Sequence, residues 1–392
     1  MTTDVLSSGV LNEAYERLHV AGPEWGEDTL TNHGPMAVEA MVRHGYDGRV
    51  HRWLDRYVRR LDDLPPATGV IGPDEWQAAL GDGRRVSDWT AYFTREVAER
   101  PWRYVLTTWW PRLLPGIVAG ATHGPIRVGH AVRVLLDTRV GSGPAVTELA
   151  HALGFWAARW REVPGAGPFV AAPADERASG TPAAPRWDAR ADECASGTPA
   201  VPRWDAHTAL HAMARVPNQT GPVADRLAQL PALPGWAGIL AGPAAVCTPD
   251  NAAVCTPNEA RDALRDLVAA GTAAYLGHGH ASPVLLVHVA TAPNAVLRTV
   301  PALPPHLWAP SLSAVWAACA AITASYAPVV PADRAALPAA STDPVAVLER
   351  AVEHGDEHVM KFADTAVDVF DRTADGDALA AAARVRDLIP AP

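Results

Sequence analysis

The sequence predicts an all-α protein, a single large multi-helix domain spanning 1–392 with Pro/Ala-rich surface loops. Three observations carry this. Apolar residues recur at three- and four-residue steps in one segment after another. Alternating apolar–polar runs of the strand type are scarce. The periodic segments are joined by proline-rich connections such as "PALPPHLWAP", which end helices rather than continue them.

In chain order, the helical period is clear in "MAVEAMVRHG" (36–45), "RVHRWLDRYVRRL" (49–61), "SDWTAYFTREVAER" (87–100) and "AVTELAHALGFWAARW" (145–160). It returns in "NEARDALRDLVAAGTAAYL" (258–276), "SPVLLVHVATAPNAVL" (282–297), "LSAVWAACAAITASY" (312–326) and "DPVAVLERAVEHGDEHVMKFADTAVDVF" (343–370). Between these lie two duplications. "ADERASGTPAAPRWDA" at 174–189 recurs as "ADECASGTPAVPRWDA" at 191–206, identical at 14 of 16 positions. "AAVCTPDN" at 244–251 recurs as "AAVCTPNE" at 252–259. Two copies rich in Pro, Gly, Ala, Ser and Thr do not build a solenoid, which needs at least three packing units. They read as mobile surface loops, an insertion over 163–206 and a second loop over 243–259, without chemistry of their own.

Composition removes several classes of function. A formal charge of −10 leaves no basic stripe for phosphates, so nucleic acid is not an expected partner. The start "MTTDVLSSGVLNEAYERL" has neither the basic nor the apolar region of a signal peptide. No uninterrupted apolar run of about 18 residues suggests a membrane span. Cys194, Cys247, Cys255 and Cys319 are too few and too irregular for a disulfide framework or a zinc knuckle. On these features a cytoplasmic protein is expected. "GSGPAV" at 141–146 lacks the rest of a dinucleotide fingerprint, so no flavin or NAD(P) site is expected.

Fifteen histidines are present. His19, His44, His51, His151 and His306 sit in ordinary amphipathic or loop settings. "HTALH" at 207–211 offers an i,i+4 pair, but without the acid of a zincin helix. Four other stretches stand out. "LTNHGPM" places His33 before a helix. "ATHGPIRVGHAVR" places His123 at a His-Gly-Pro helix entry, with His130 beyond it. "GHGHASPVLLVHVATAP" carries His278, His280 and, within an apolar run, His288. "HGDEHVMK" carries His354, His358 and Lys361.

Lys361 is the only lysine in the chain; every other basic side chain, histidine aside, is arginine. Arginine cannot give up its proton in a protein, whereas a lysine amine can be made neutral and nucleophilic. On a helix His354, His358, Lys361, Asp364 and Asp368 share one side, opposite Val359, Phe362, Ala363, Ala366 and Phe370. That stripe is either a solvated face or one wall of a site. A protonated ammonium repels a metal ion, but a desolvated neutral amine can take up carbon dioxide and become a carbamate, an anionic oxygen ligand. Imidazoles with one such oxygen suit iron, and also zinc, nickel or manganese.

The ordered set "NHGPM" (32–36), "HGPIRVGHAVR" (123–133), "ELAHALGFWAARW" (148–160), "LLVHVATAPNAVLR" (285–298) and "DEHVMKF" (356–362) resembles the questin oxidase-like family. The resemblance implies an α-helical fold holding one Fe(II). It implies His33, His123, His288 and His358 as nitrogen ligands and carboxylated Lys361 as the oxygen ligand, with His130, His280 and His354 as alternates. His358 and Lys361 are then the residues closest to the chemistry. The chain departs from the fungal pattern at "RVGH" (127–130).

The expected function is that of a non-haem iron oxygenase (dioxygenase). It would use dioxygen to oxidise, and in that reading cleave, the ring of an aromatic polyketide in secondary metabolism. "TTWWPRLLPGI" (107–117) and "LGFWAARW" (153–160) are candidate walls for a flat substrate. Two rivals are a metal-dependent hydrolase using carboxylated lysine, with Asp356 or Asp364 as its carboxylate, and a non-catalytic helical binding protein. Substrate identity, reductant, oligomeric state and the choice among cleavage, lactone formation and hydroxylation stay open.

Overall fold

The computed structural model describes residues 2–27, 30–137, 143–170, 204–245 and 256–392. Among the described residues helices dominate. The two strands are Glu24–Trp25 (β1) and Leu30–Thr31 (β2), paired antiparallel. The longer helices are α1 (Thr2–His19), α2 (Gly34–Arg43), α3 (Asp47–Tyr57), α4 (Val86–Glu99), α5 (Trp102–Leu113), α6 (His123–Leu136) and α7 (Gly143–Ala158). After them come α8 (Pro257–His278), α9 (His288–Thr299), α10 (Trp308–Tyr326), α11 (Pro344–His354), α12 (Glu357–Thr373) and α13 (Gly376–Leu388). α1, α5 and α13 were not among the expected helices; in α5, Pro111 falls in the last turns, where the helix is about to end.

Two glycines set the spacing around the interior. A Cβ on Gly129 of α6 would lie 2.6 Å from Ala295 of α9, and one on Gly271 of α8 would lie 2.3 Å from the Val289 carbonyl of α9. No side chain fits at either position, so α6, α9 and α8 pack backbone against backbone. Pro293 inside α9 has no N–H for the carbonyl of Val289. That oxygen instead faces Cys319 Sγ of α10 at 3.5 Å.

The 283–302 and 305–326 segments are long and apolar enough to cross a membrane, but 72% and 83% of their apolar windows are buried within the fold. α10 shows why: from Ser311 to Tyr326 every residue is buried. Such a helix is apolar all round because it is covered all round.

Two predicted helices are broken. The 343–370 run divides at Gly355, which adopts φ +85° as the C-cap of α11, and Asp356 then caps α12. A left-handed glycine followed by an acidic N-cap is a strong stop–start signal. His354 is therefore not one turn before His358 on a shared helix. The 282–297 run breaks at Val287, so His288 opens α9 instead of sitting inside it. The solvated-face alternative for α12 also fails, since Glu357 to Val367 are all buried. Most of the duplicated sequence, 174–203 and 246–255, lies outside the described residues, as do Cys194, Cys247 and Cys255. The described ends of the second expected loop are helical: Gly242–Ala245 forms a short helix and Thr256 caps α8. The flanks of the first are packed: Val163, Ala166, Val170 and Ala206 are buried, and Trp204 meets Trp316 edge-on at 4.8 Å.

Candidate metal centre

Four imidazoles from four helix starts meet at one place. His33 is the N-cap of α2, His123 opens α6, His288 opens α9 and His358 is the second residue of α12. His33 Nε2 lies 2.7 Å from His123 Nε2, and His288 Nε2 lies 2.9 Å from that same atom. The His33 and His358 ring centroids are 4.4 Å apart. His33, His123 and His358 each offer a ligand atom within 4.8 Å of the others.

The outer nitrogens decide what the inner ones can be. His123 Nδ1 makes a short contact to the Gly120 carbonyl, and His288 Nδ1 lies 3.0 Å from the Leu285 carbonyl. A carbonyl only accepts, so both Nδ1 atoms carry the proton and both Nε2 atoms present bare lone pairs. Two bare lone pairs 2.9 Å apart repel each other unless a cation lies between them. Imidazole ligands of a metal characteristically turn their outer N–H to a carbonyl or carboxylate, as His123 and His288 do. His33 Nδ1 is 3.6 Å from Glu357 Oε1 and His358 Nδ1 is 3.4 Å from Asp356 Oδ1, near carboxylates but without a hydrogen bond.

His123 is placed by an unusual turn. Gly120, Ala121 and Thr122 have φ of 51°, 55° and 71° in succession. Ala121 and Thr122 hold a conformation that L-residues avoid, and such strain persists where the surroundings impose it. It brings the Gly120 carbonyl to Nδ1 of the ring. Thr31 Oγ1 of β2 is 3.3 Å from the same nitrogen. The backbone N–H of His33 donates to Tyr57 Oη at 2.6 Å, fixing the start of α2.

Lys361 is fully buried and its Nζ has no hydrogen-bond partner. Burial pulls its pKa down to about 7, against the opposing charges of Glu357 and Asp356. The pKa values of His33, His123 and His288 are held well below the ordinary histidine value, chiefly by burial. The positive charge of Lys361 adds to the depression at all three, which places the amine within electrostatic reach of the cluster. Burial thus brings the Lys361 amine into a range where a substantial share of it is neutral near neutral pH, beside His33, His123 and His288, which burial keeps neutral.

The alternates lie elsewhere. His354 Nε2 is 3.0 Å from the Ile389 carbonyl at the end of α13. His280 is exposed in the 3-10 turn after α8. His130 is 2.7 Å from Glu39 in a separate buried network. There Glu39, His130 and Asp364 also come close enough to hold an ion. Arginines fill that place instead: Arg133 bonds Glu39 and Asp364, while Arg43 and Arg298 reach Asp364 at 2.7 Å. The departure at 127–130 belongs to this type of pairing, since Arg127 binds Glu148.

A cavity of about 440 Å³ opens against His33, His123, His288 and His358, within the range of small-molecule sites. The tryptophans expected to wall it are mostly core residues. Trp109, Trp110 and Trp156 are fully buried, with Trp110 donating to Ser311 and Trp156 to the Gly116 carbonyl. Only Trp160 of those segments lines the cavity, joined by Trp25 of β1. The His207/His211 pair lies beside His278 around a second cavity of about 260 Å³. The His211 and His278 ring centroids there are 6.0 Å apart.

Reading the residues alone missed Glu357, Tyr57, the Gly120 and Leu285 carbonyls and the lining residues Trp25, Arg159 and Arg161. The adjacent acids in "DEHVMK" were the one available signal for Glu357. A comparison with curated proteins returned no match. A family model described as questin oxidase-like matches residues 36–366, a span that includes His123, His288, His358 and Lys361 and begins just after His33. The chain belongs to the questin oxidase-like family, whose name denotes an oxidase and so an oxidoreductase acting on a small molecule.

Proposed function

We propose that the protein is a mononuclear non-haem iron oxygenase that oxidises, and in the favoured outcome cleaves, the ring of an aromatic polyketide. One observation supports this reading above others: the bare Nε2 lone pairs of His123 and His288 stand 2.9 Å apart, with His33 Nε2 2.7 Å from His123 Nε2. His33, His123, His288 and His358 would hold the ion, and Lys361 as its carbamate would supply one anionic oxygen. The Nζ lone pair bonds to the carbon of carbon dioxide, and the proton released from nitrogen leaves to solvent. Four helix N-termini around the centre contribute partial positive charge, which favours that anion. A ferrous ion would supply the electrons that let dioxygen react with a closed-shell ring. The residues do the rest: the imidazoles would fix the ion, Glu357 and Asp356 stand beside two of them, and Trp25 and Trp160 flank the space for a flat substrate.

The surroundings favour this over the two rivals. A dinuclear hydrolase needs a carboxylate free to bridge, but Asp364 is taken by Arg43, Arg133, Arg298 and His44. Asp356 caps α12 through the backbone N–H groups of His358 and Val359. A mere binding scaffold has no use for a buried amine without a partner, a costly group to keep. Elemental analysis of purified protein separates the three. One iron per chain is expected; two zinc ions would point to the hydrolase and no metal to the binding protein.

A further inference from the structure

Two carboxylates and two guanidiniums line the cavity, Glu24, Glu357, Arg159 and Arg161, and three of the four are paired. Glu24 is paired with Arg159, and Glu357 with Arg60 at 2.7 Å. His33, His123, His288 and His358 add no negative charge. Arg161 is left, exposed at the cavity and without an ion pair or side-chain hydrogen bond among the described residues. Its backbone is fixed by a parallel bridge to Ile117, so the side chain springs from a rigid point. The rest of the lining includes apolar Leu30, Val118, Val223, Leu227, Val284 and Leu285. A largely apolar cavity with one unpaired guanidinium matches a flat apolar ligand bearing a negative charge.

We infer that the substrate is an aromatic oxyanion, a ring bearing a carboxylate or an ionised hydroxyl, and that Arg161 reads its charge. The inference rests on the reading of this cavity as the substrate site; it deepens that reading by naming the ionic form and the residue that selects it. Arg161 is a specificity-determining residue here, holding one end of the ring system while the opposite end reaches the imidazoles.

The test is calorimetric binding under anaerobic conditions to the iron-loaded full chain, with two matched probe pairs. Anthraquinone-2-carboxylate is compared with its carboxamide, and 2-hydroxy-1,4-naphthoquinone, ionised at neutral pH, with its methyl ether. The native chain is expected to prefer the anion roughly tenfold or more in at least one pair, and the pair that shows it identifies the oxyanion. Arg161→Gln should bring the two members of that pair to equal affinity, while Arg161→Lys keeps part of the preference. Equal affinity in the native chain, an undiminished preference in Arg161→Gln, or no binding of any probe would overturn the inference. Iron content of the same preparation keeps the outcomes apart. Charge preference without iron would sink the oxygenase reading alone, and iron without charge preference would sink only the role of Arg161.

Discussion

At the scale of single residues, Lys361 carries two opposed burdens. A buried, unpartnered amine destabilises the fold, yet the proposed carbamate needs that amine. Lys361→Met should therefore lose iron while raising the stability of the metal-free chain by about 1–3 kcal/mol, read as a shift in denaturation midpoint. Lys361→Arg keeps a cation and removes the nucleophile, so iron and turnover should both vanish; unchanged turnover would take the lysine out of the mechanism. Lys361→Glu supplies a carboxylate in place and should restore part of the iron. The lysine was legible from the sequence because arginine stands everywhere else. Glu357 was not, since its alignment with His33 Nδ1 depends on a contact between α2 and α12 that no local pattern encodes.

At the scale of elements, the centre is a meeting of four helix starts. The His-Gly-Pro entries before α2 and α6 announced two of them in the sequence, as proline at the first turn does generally. The starts of α9 and α12 were hidden inside longer periodic runs, because periodicity continues across a break of one or two residues. Gly129 tests whether helix spacing matters to the site. Gly129→Ala should force α6 from α9, cost about 1–3 kcal/mol, and weaken iron binding by parting His123 from His288. Stability lost with iron affinity intact would show that the two rings do not depend on that contact. Asp356→Ala removes the cap of α12 and the carboxylate facing His358. A loss of about 1 kcal/mol in stability should accompany a fall of about tenfold or more in iron affinity, measured by competition with a chelator.

At the scale of the whole molecule, buried ion pairs away from the centre govern the response to acid. His130, among Glu39, Arg133 and Arg298, is held down to about 4, and His151, beside His19, Arg127 and Glu148, to about 3, burial being the main cause in both. Unfolded histidines take up protons near 6.5, so below that pH the unfolded chain binds protons that the folded chain refuses. Glu148, held down to about 2 chiefly by Arg127 against the opposing effect of burial, extends the loss below its ordinary value of 4.5. Stability should be level above pH 7 and decline below about 6.5, by about 3 kcal/mol at pH 5.5 from His130 and His151 together, and further in the metal-free chain, where His33, His123 and His288 are also held well below the ordinary value; a level midpoint down to pH 5 would contradict this. The all-α class was readable from periodicity alone. The pairing of distant charges, such as Glu39 with Arg133 or Asp364 with Arg298, was not, because it arises only when helices far apart in the chain are packed together. The most direct test of the central claim is a diffraction map recorded at the iron absorption edge. It should show one peak about 2 Å from the Nε2 atoms of His33, His123 and His288, with carbamate density on Lys361 reaching the same ion. No peak there, or a peak at the His207–His211 pair instead, would contradict it.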